Sequence, residues 1–233
     1  MNKFIVMEGL DGAGKSTQIN LLKNYLDQRN IEYRYIHFPQ TDYPANSPVY
    51  GDMVAKFLKG EYGNINQVNP YLVALLYAGD RYNAGTRIRE WLEAGYFVLL
   101  DRYVYSNMAF QGAKFNKTEE KQELKQWIEH LEYKYHNIPK PALSIFLRMP
   151  FDFVSRKLAD TRKGTDRTYL DGKDDIHESS LDFQKNVEKE YLQLVEENDD
   201  FHLINCFDSS GRTLSPEEIH QKVIALLIAK EML

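Results

Sequence analysis

Short apolar runs alternate with stretches of helical period along most of the chain. Phe4-Ile5-Val6-Met7 is a continuous β-type run, and behind it Ile19, Leu21, Leu22, Tyr25 and Leu26 recur at helical spacing with polar residues between. Ile31–Phe38 predicts a second strand, stopped by Pro39, and Pro44 and Pro48 keep the following segment in a loop. Val49–Leu58 reads as a short helix ended by Gly60. Asn69-Pro70 reads as an N-cap and a first-turn proline, opening a helix to about Ala94 that stops at Gly95. The apolar residues of that helix, Leu72 to Ala78, cover more than one face, so it is expected to be buried on two sides, in the core or against a second subunit.

Tyr96–Leu100 is a third apolar run and ends at Asp101-Arg102-Tyr103, with a helix beginning near Tyr105 and a charged helical segment over Thr118–Tyr135. An exposed helix is a sufficient account of that charged segment. Ala142–Met149 is a fourth strand between Pro141 and Pro150, followed by a helix over Phe151–Ala159. Asp160–Asp175 carries Gly164 and Gly172 with no apolar period, which predicts a mobile loop. A long helix over Glu178–Glu197, a fifth strand over Phe201–Cys206 and a last helix opened by the capping box Ser215-Pro216-Glu217-Glu218 complete the chain. Strands alternating with helices predict the α/β class: a doubly wound, five-stranded parallel sheet with helices on both faces, forming a single domain over residues 1–233. Ligands should then bind beyond the carboxyl ends of the strands.

An apolar content of 43% and a charged content of 27% belong to an ordinary globular protein. The net charge of -5 gives no general attraction to nucleic acid, so a polyphosphate must be held by local cations. Cys206 is the single cysteine, which precludes an intrachain disulfide and fits a reducing cytoplasm. The six histidines show no metal-ligand spacing and read as surface or packing residues. The first apolar run is too short for a signal-peptide core, and no run is long enough to cross a membrane, so a cytoplasmic protein is expected.

Candidate chemistry begins at Gly9-Leu10-Asp11-Gly12-Ala13-Gly14-Lys15-Ser16, followed by Thr17. It fits the phosphate-loop pattern and has the confirming context of strand before and helix behind. Glycines allow backbone N–H groups to approach phosphates closely, Lys15 supplies a charge for the outer phosphates, and the Ser16 hydroxyl can sit on Mg²⁺. The loop names ATP or GTP, not the reaction.

Asp101 follows a buried strand, so it projects at the same sheet edge, where a carboxylate can hold Mg²⁺ through water and orient an attacking phosphate oxygen. Arg102 beside it can grip a phosphate bidentately. Tyr77 and Arg81 stand four apart on one helix face; they present either a ring and a cation to a ligand, or a core tyrosine and an Asp80–Arg81 surface pair. Arg156, Lys157, Arg162, Lys163 and Arg167 concentrate cations around Gly164, as a solvated charge run or as a lid bringing an arginine onto transferred phosphate.

Glu8–Thr17, Leu75–Arg81, Asp101-Arg102-Tyr103 with Ser106 and Phe110-Gln111, and the run up to Asp175-Ile176-His177-Glu178 occur in an order and spacing that resembles the thymidylate (dTMP) kinase family over nearly the whole length. The resemblance implies a phosphate-loop nucleotide kinase fold with a lid over about residues 160–177. It also implies a homodimer and transfer of the ATP γ-phosphate to dTMP with Mg²⁺, a step toward dTTP. Carried onto this chain, Gly9 to Thr17 hold ATP, with Ser16 and Asp101 at the metal. Lys15, Asp101 and Arg102 belong to the catalytic set, with Arg102 also on the acceptor phosphate. Asp11 contacts the acceptor sugar, Tyr77 stacks on thymine, and Arg81 hydrogen-bonds it. Phe38, Ser106, Phe110 and Gln111 line the acceptor pocket and Tyr169 closes over it.

Two positions depart from the family pattern. Members with Arg after the loop Asp use it as catalytic cation, whereas this chain has Gly12, so the charge is expected from the lid: Arg162 or Arg167, with Arg156 a further candidate. Thr41 stands where the family often has an Arg that helps hold the acceptor phosphate. Two alternatives therefore stay open: a related kinase with another acceptor, such as dUMP, dCMP or a purine deoxynucleotide, and a regulatory protein that binds ATP without efficient transfer.

Overall fold

A computed structural model describes residues 3–41, 45–65, 67–161 and 180–233. Its five strands are β1 (Phe4–Glu8), β2 (Tyr33–His37), β3 (Phe97–Asp101), β4 (Leu143–Arg148) and β5 (Phe201–Asn205). All pairings are parallel, and the order is β2-β3-β1-β4-β5. Every residue of β1 and β3 is buried, because each strand has neighbours on both edges and helices on both faces. Such strands need no alternation, which is why they read as unbroken apolar runs. The edge strands β2 and β5 are only half-buried. The expected doubly wound five-stranded parallel sheet is the observed one, with strand ends within about two residues of expectation.

Around the sheet run α1 (Lys15–Asp27), α2 (Tyr50–Leu58), α3 (Pro70–Glu93), α4 (Val104–Gly112), α5 (Thr118–Glu129), α6 (Phe151–Thr161), α7 (Leu181–Glu197) and α8 (Pro216–Ala229). The expected caps form. The Asn69 side chain accepts from the Tyr71 N–H, and the Ser215 hydroxyl and Glu218 carboxylate each accept from the other residue's N–H. Gly95, at φ 84°, ends α3 by letting the Tyr96 N–H reach back to the Trp91 carbonyl.

Helix α4 lies inside the molecule: all nine residues are buried, against α3, α5 and α7. A helix with no solvent face has no use for polar side chains except to meet buried partners, and Ser106, Asn107 and Gln111 are its polar residues. Helix α2 crosses α3 at Gly79, where an added Cβ would lie 2.4 Å from the Tyr50 ring. That close crossing seats Val54, Phe57 and Leu58 of α2 beside Val73, Leu76 and Tyr77 of α3.

Of the two settings expected for the helix over 70–94, burial on both sides in the core is not the one observed: Val73, Ala74, Ala78, Ala84 and Ile88 face inward, while Leu72 is 61% exposed, Leu75 39% and Tyr82 54%, which leaves the second-subunit alternative. One expectation needs correction. The charged segment 118–135 is not simply an exposed helix. Its α-helix passes at His130 into a π-helical turn over His130–Tyr135, and Leu124, Lys125, Ile128, Leu131 and Glu132 are all buried.

The Lys114 amine, just beyond α4, is buried with no hydrogen-bond partner and sits 4.9 Å from the centre of the Phe57 ring. Burial pushes its pKa down to about 7. In the unfolded chain it titrates near the ordinary value of about 10.4. Between these values the unfolded chain holds a proton that the folded chain lacks, so stability should fall as pH drops from about 10 to about 7. Lys114→Met should flatten that slope in urea melts and raise Tm at pH 7.

Candidate active site

The carboxyl ends of the strands open onto one cavity of about 810 Å³. Its floor is the loop after β1. Gly14, at φ 79°, caps α1 in the left-handed region, and Gly12, at φ 75°, shapes the apex. Together they turn the backbone so that the loop wraps the N-terminus of α1, whose first turn carries no acidic residue. Unpaired N–H groups and the helix dipole make that end a site for phosphate oxygens. Asp11, Gly12, Ala13, Gly14, Lys15, Ser16 and Thr17 line the cavity. Gly9 and Leu10 take part through their carbonyls, which accept from Lys15 Nζ at 3.3 and 3.0 Å. Burial pulls the Lys15 pKa below its ordinary range, the Arg102 charge adds to this, and Asp101, Asp11 and Glu8 oppose it.

Asp101 ends β3 in register with Met7 of β1 and His37 of β2, and so stands beside the loop. His37 Nδ1 lies 3.3 Å from Asp101 Oδ2. Burial works against the Asp101 charge, but the bond from His37 and the positive charges of Lys15 and Arg102 outweigh it and hold the carboxyl below its usual range. Oδ1 is buried with no partner. An orphaned anionic oxygen, with the Ser16 hydroxyl lining the same cavity, is a hard donor set that suits Mg²⁺. Among the described residues there is no cluster of three or more metal-ligating side chains. An ion here would take its other ligands from water and phosphate.

Arg102 follows with φ 66°, in the left-handed region where a side chain strains the backbone. Its geometry is imposed by Glu8, the buried last residue of β1. Glu8 Oε1 accepts from the N–H groups of Tyr103 and Ser106, and Oε2 from the hydroxyls of Ser106 and Tyr191. Burial raises the Glu8 pKa, while these bonds and the Arg102 charge oppose the rise. Arg102 donates to the Ser106 hydroxyl at 3.2 Å and to Asp11 at 2.6 Å. Burial opposes its charge, but Asp11 and the other acids around it hold the proton more tightly than usual.

The far end of the cavity is lined by Phe38, Tyr77, Arg81, Ser106, Asn107, Phe110 and Gln111. Arg81 is 2% exposed and forked onto Glu132, with Nε and Nη2 at 2.5 and 2.7 Å from its two oxygens. The alternative of an Asp80–Arg81 surface pair is therefore wrong. Asp80 is also buried and holds the backbone N–H and side chain of Gln40. Glu132 accepts as well from Asn107 Nδ2, which ties α4 to the same clamp. Both amide atoms of Gln111 are buried without partners, so a ligand edge offering a donor and an acceptor would satisfy it.

At the opposite end Thr213, Leu214 and Pro216 follow β5, and Gln18 of α1 donates to the Pro216 carbonyl at 2.8 Å. Arg156 lies on α6 and donates to the Asp152 carbonyl. Arg162, Arg167, Tyr169 and nearly all of the expected lid at 160–177 lie outside the described residues.

Sequence reasoning missed several of these residues. His37 reads from sequence as a surface or packing histidine; it is half-exposed and also bonds Asp101. Glu8 entered only as the start of a motif, and Glu132 was hidden in a charge-rich segment. The available signal for Glu8 was an acid placed directly after a fully apolar strand and before the loop.

The thymidylate kinase family model matches residues 7–223. Over 204 residues the chain is 27% identical to the thymidylate kinase of Plasmodium falciparum (isolate 3D7), covering 84% of this chain and 89% of that relative. A probable thymidylate kinase of Staphylothermus marinus is 32% identical over 195 residues, covering 83% and 81%. The structure of a thymidylate kinase from Candida albicans shares the fold with a TM-score of 0.71 at 23% identity, covering 98% of this chain and 92% of that one.

Tyr191→Phe keeps the ring that stacks on Phe146 but removes one donor from buried Glu8. A hydrogen bond to a charged group contributes about 1.5–3 kcal/mol. Urea melts of the variant should show a loss of that size at pH 7.

Proposed function

The chain belongs to the thymidylate kinase family, and on that premise we propose that it transfers the γ-phosphoryl group of ATP to dTMP, giving dTDP and ADP, with Mg²⁺. One observation carries the reading: a single cavity joins the phosphate loop to the Asp101-Arg102 turn and to the Tyr77, Arg81 and Gln111 end. Donor and acceptor then meet at the strand ends.

In this reading the loop from Gly9 to Thr17 holds the donor phosphates and Lys15 leaves the Gly9 and Leu10 carbonyls for the outer ones. Mg²⁺ would be held by Ser16 and Asp101 and would neutralise charge on the transferring group. Arg102 binds the acceptor phosphate, Asp11 the sugar hydroxyl, and Tyr77, Arg81, Phe110 and Gln111 the base, within walls that include Phe38 and Ser106. An unpartnered amide at Gln111 suits a pyrimidine edge that pairs an N–H with a carbonyl. Because the phosphoryl group needs little covalent help, these contacts act by positioning and electrostatics. The cation that meets the spreading charge is assigned to Arg162 or Arg167, with Arg156 a further candidate, and Tyr169 to closure over the acceptor. A cytoplasmic homodimer fits this reading. Among the described residues no helix is long and apolar enough to cross a membrane, and the outer face of α3 carries exposed Leu72, Leu75 and Tyr82.

A second reading, with another monophosphate as acceptor, draws on Thr41. Gln40 beside it is already held by Asp80 and Arg87. ADP release over a panel of monophosphates separates the two, with dTMP expected to give the highest kcat/KM. Preference for another acceptor would replace the substrate assignment, and ATP binding without turnover on any acceptor would replace the enzyme by a regulator. Asp101→Asn should lower kcat by about 100-fold or more, the scale for loss of one preorganised electrostatic group, while the thermal melt stays cooperative.

A further inference from the structure

We propose that Lys157 is a further catalytic residue, placing its ammonium over the outer donor phosphates from the side of α6; this rests on the phosphoryl-transfer reading. The placement follows from how α6 lies on the loop. Val154 and Lys157 are three apart and so share a face of the helix. An added Cβ on Gly12 would lie 3.0 Å from the Lys157 Cβ and 3.8 Å from the Val154 carbonyl. With φ at 75° as well, residue 12 cannot carry a side chain without strain, and the space over the loop apex is filled by the stem of Lys157. Fully buried Val154 pins that turn of α6 to the core and so fixes the Lys157 Cβ at the loop apex, while Lys157 itself is exposed toward the cavity mouth.

The chemistry matches the position. Lys157 lines the same cavity as Lys15, Ser16 and Asp101, and its Nζ stands 6.0 Å from the centre of the Phe153 ring, which also lines it. Phosphoryl transfer spreads negative charge over three equatorial oxygens, and a cation beyond the reach of the loop's own lysine stabilises that distribution more than the ground state. Lys15 reaches the phosphates from the loop, while Lys157 reaches them from the helix packed on the loop's apex. A lysine stem that only covers a glycine and keeps its head in water is the competing account.

Lys157→Met keeps the stem and removes the charge. Its kcat should fall about 10- to 100-fold, less than the roughly 10³- to 10⁵-fold of an arginine finger because other cations remain at the phosphates, with the dTMP KM and the Tm unchanged. Lys157→Cys treated with 2-bromoethylamine regains an ammonium at nearly the length of lysine and should recover most of the rate. Cys206 is buried with its thiol pushed up to about 12, so the alkylation is selective, and treated wild type serves as control. A wild-type kcat in Lys157→Met would overturn the proposal. So would a fall in kcat matched by a fall in Tm with no recovery on aminoethylation, since lost packing then explains it. Wild-type protein that binds ATP but turns over no acceptor would overturn the kinase reading first, and this role with it.

Discussion

Everything at the centre of this site depends on a carboxylate buried at the end of the middle strand. Glu8 has no solvent exposure, and burying an isolated carboxylate costs several kcal/mol unless donors replace its water. The sheet supplies none, because β1 is hydrogen-bonded on both edges. Donors come from the turn after β3, from α4 and from α7: two backbone N–H groups and the hydroxyls of Ser106 and Tyr191. Satisfying Glu8 therefore fixes three elements at once. The left-handed backbone at Arg102 follows, since the chain must leave β3 and bring the next N–H straight back to Glu8. The strain at Arg102 is offset by the bonds of its neighbours.

A second buried carboxylate organises the other end of the cavity by the same logic. Glu132 takes the fork of Arg81 and the amide of Asn107, joining α3, α4 and the π-helical turn. A bidentate pair fixes a planar guanidinium in orientation as well as in place, which a lone buried arginine could not do. Helix α4 runs between the two centres, with Ser106 facing Glu8 and Asn107 facing Glu132. Ser106 and the Asn107 amide nitrogen are thus accounted for, and Gln111, left with both amide atoms unpartnered, marks where a ligand would add bonds.

The parts legible in the sequence are those governed by local rules. Unbroken apolar runs gave the central strands, glycine spacing gave the phosphate loop, and Asn69-Pro70 and Ser215–Glu218 gave helix starts that form as expected. What escaped was decided by partners distant in the chain. Glu132 falls on the inward period of Leu124, Lys125 and Ile128, but nothing nearby says that it meets Arg81, 51 residues earlier. His37 looks like any half-exposed histidine until β2 pairs with β3 and brings it level with Asp101. The outward leucines of α3 stop short for the opposite reason: apolar period states that a face avoids water, not what covers it.

The Asp11–Arg102 pair joins the phosphate loop to the turn after β3. A guanidinium held beside the cavity with no anion would bear an uncompensated desolvation cost. Asp11 supplies the anion at 2.6 Å, from the phosphate loop itself, and both side chains keep some contact with water. That exposure matters, because an anion arriving from the cavity can reach the guanidinium and replace the carboxylate without leaving either charge buried and unpaired. Glu8 behind it cannot be exchanged, being closed off by four donors. Arg102 thus lies between a permanent acidic neighbourhood that fixes its backbone and a replaceable one that occupies its guanidinium. In the proposed reaction the acceptor phosphate takes the place of Asp11 on Arg102 and releases that carboxylate toward the sugar, so one exchange readies both contacts.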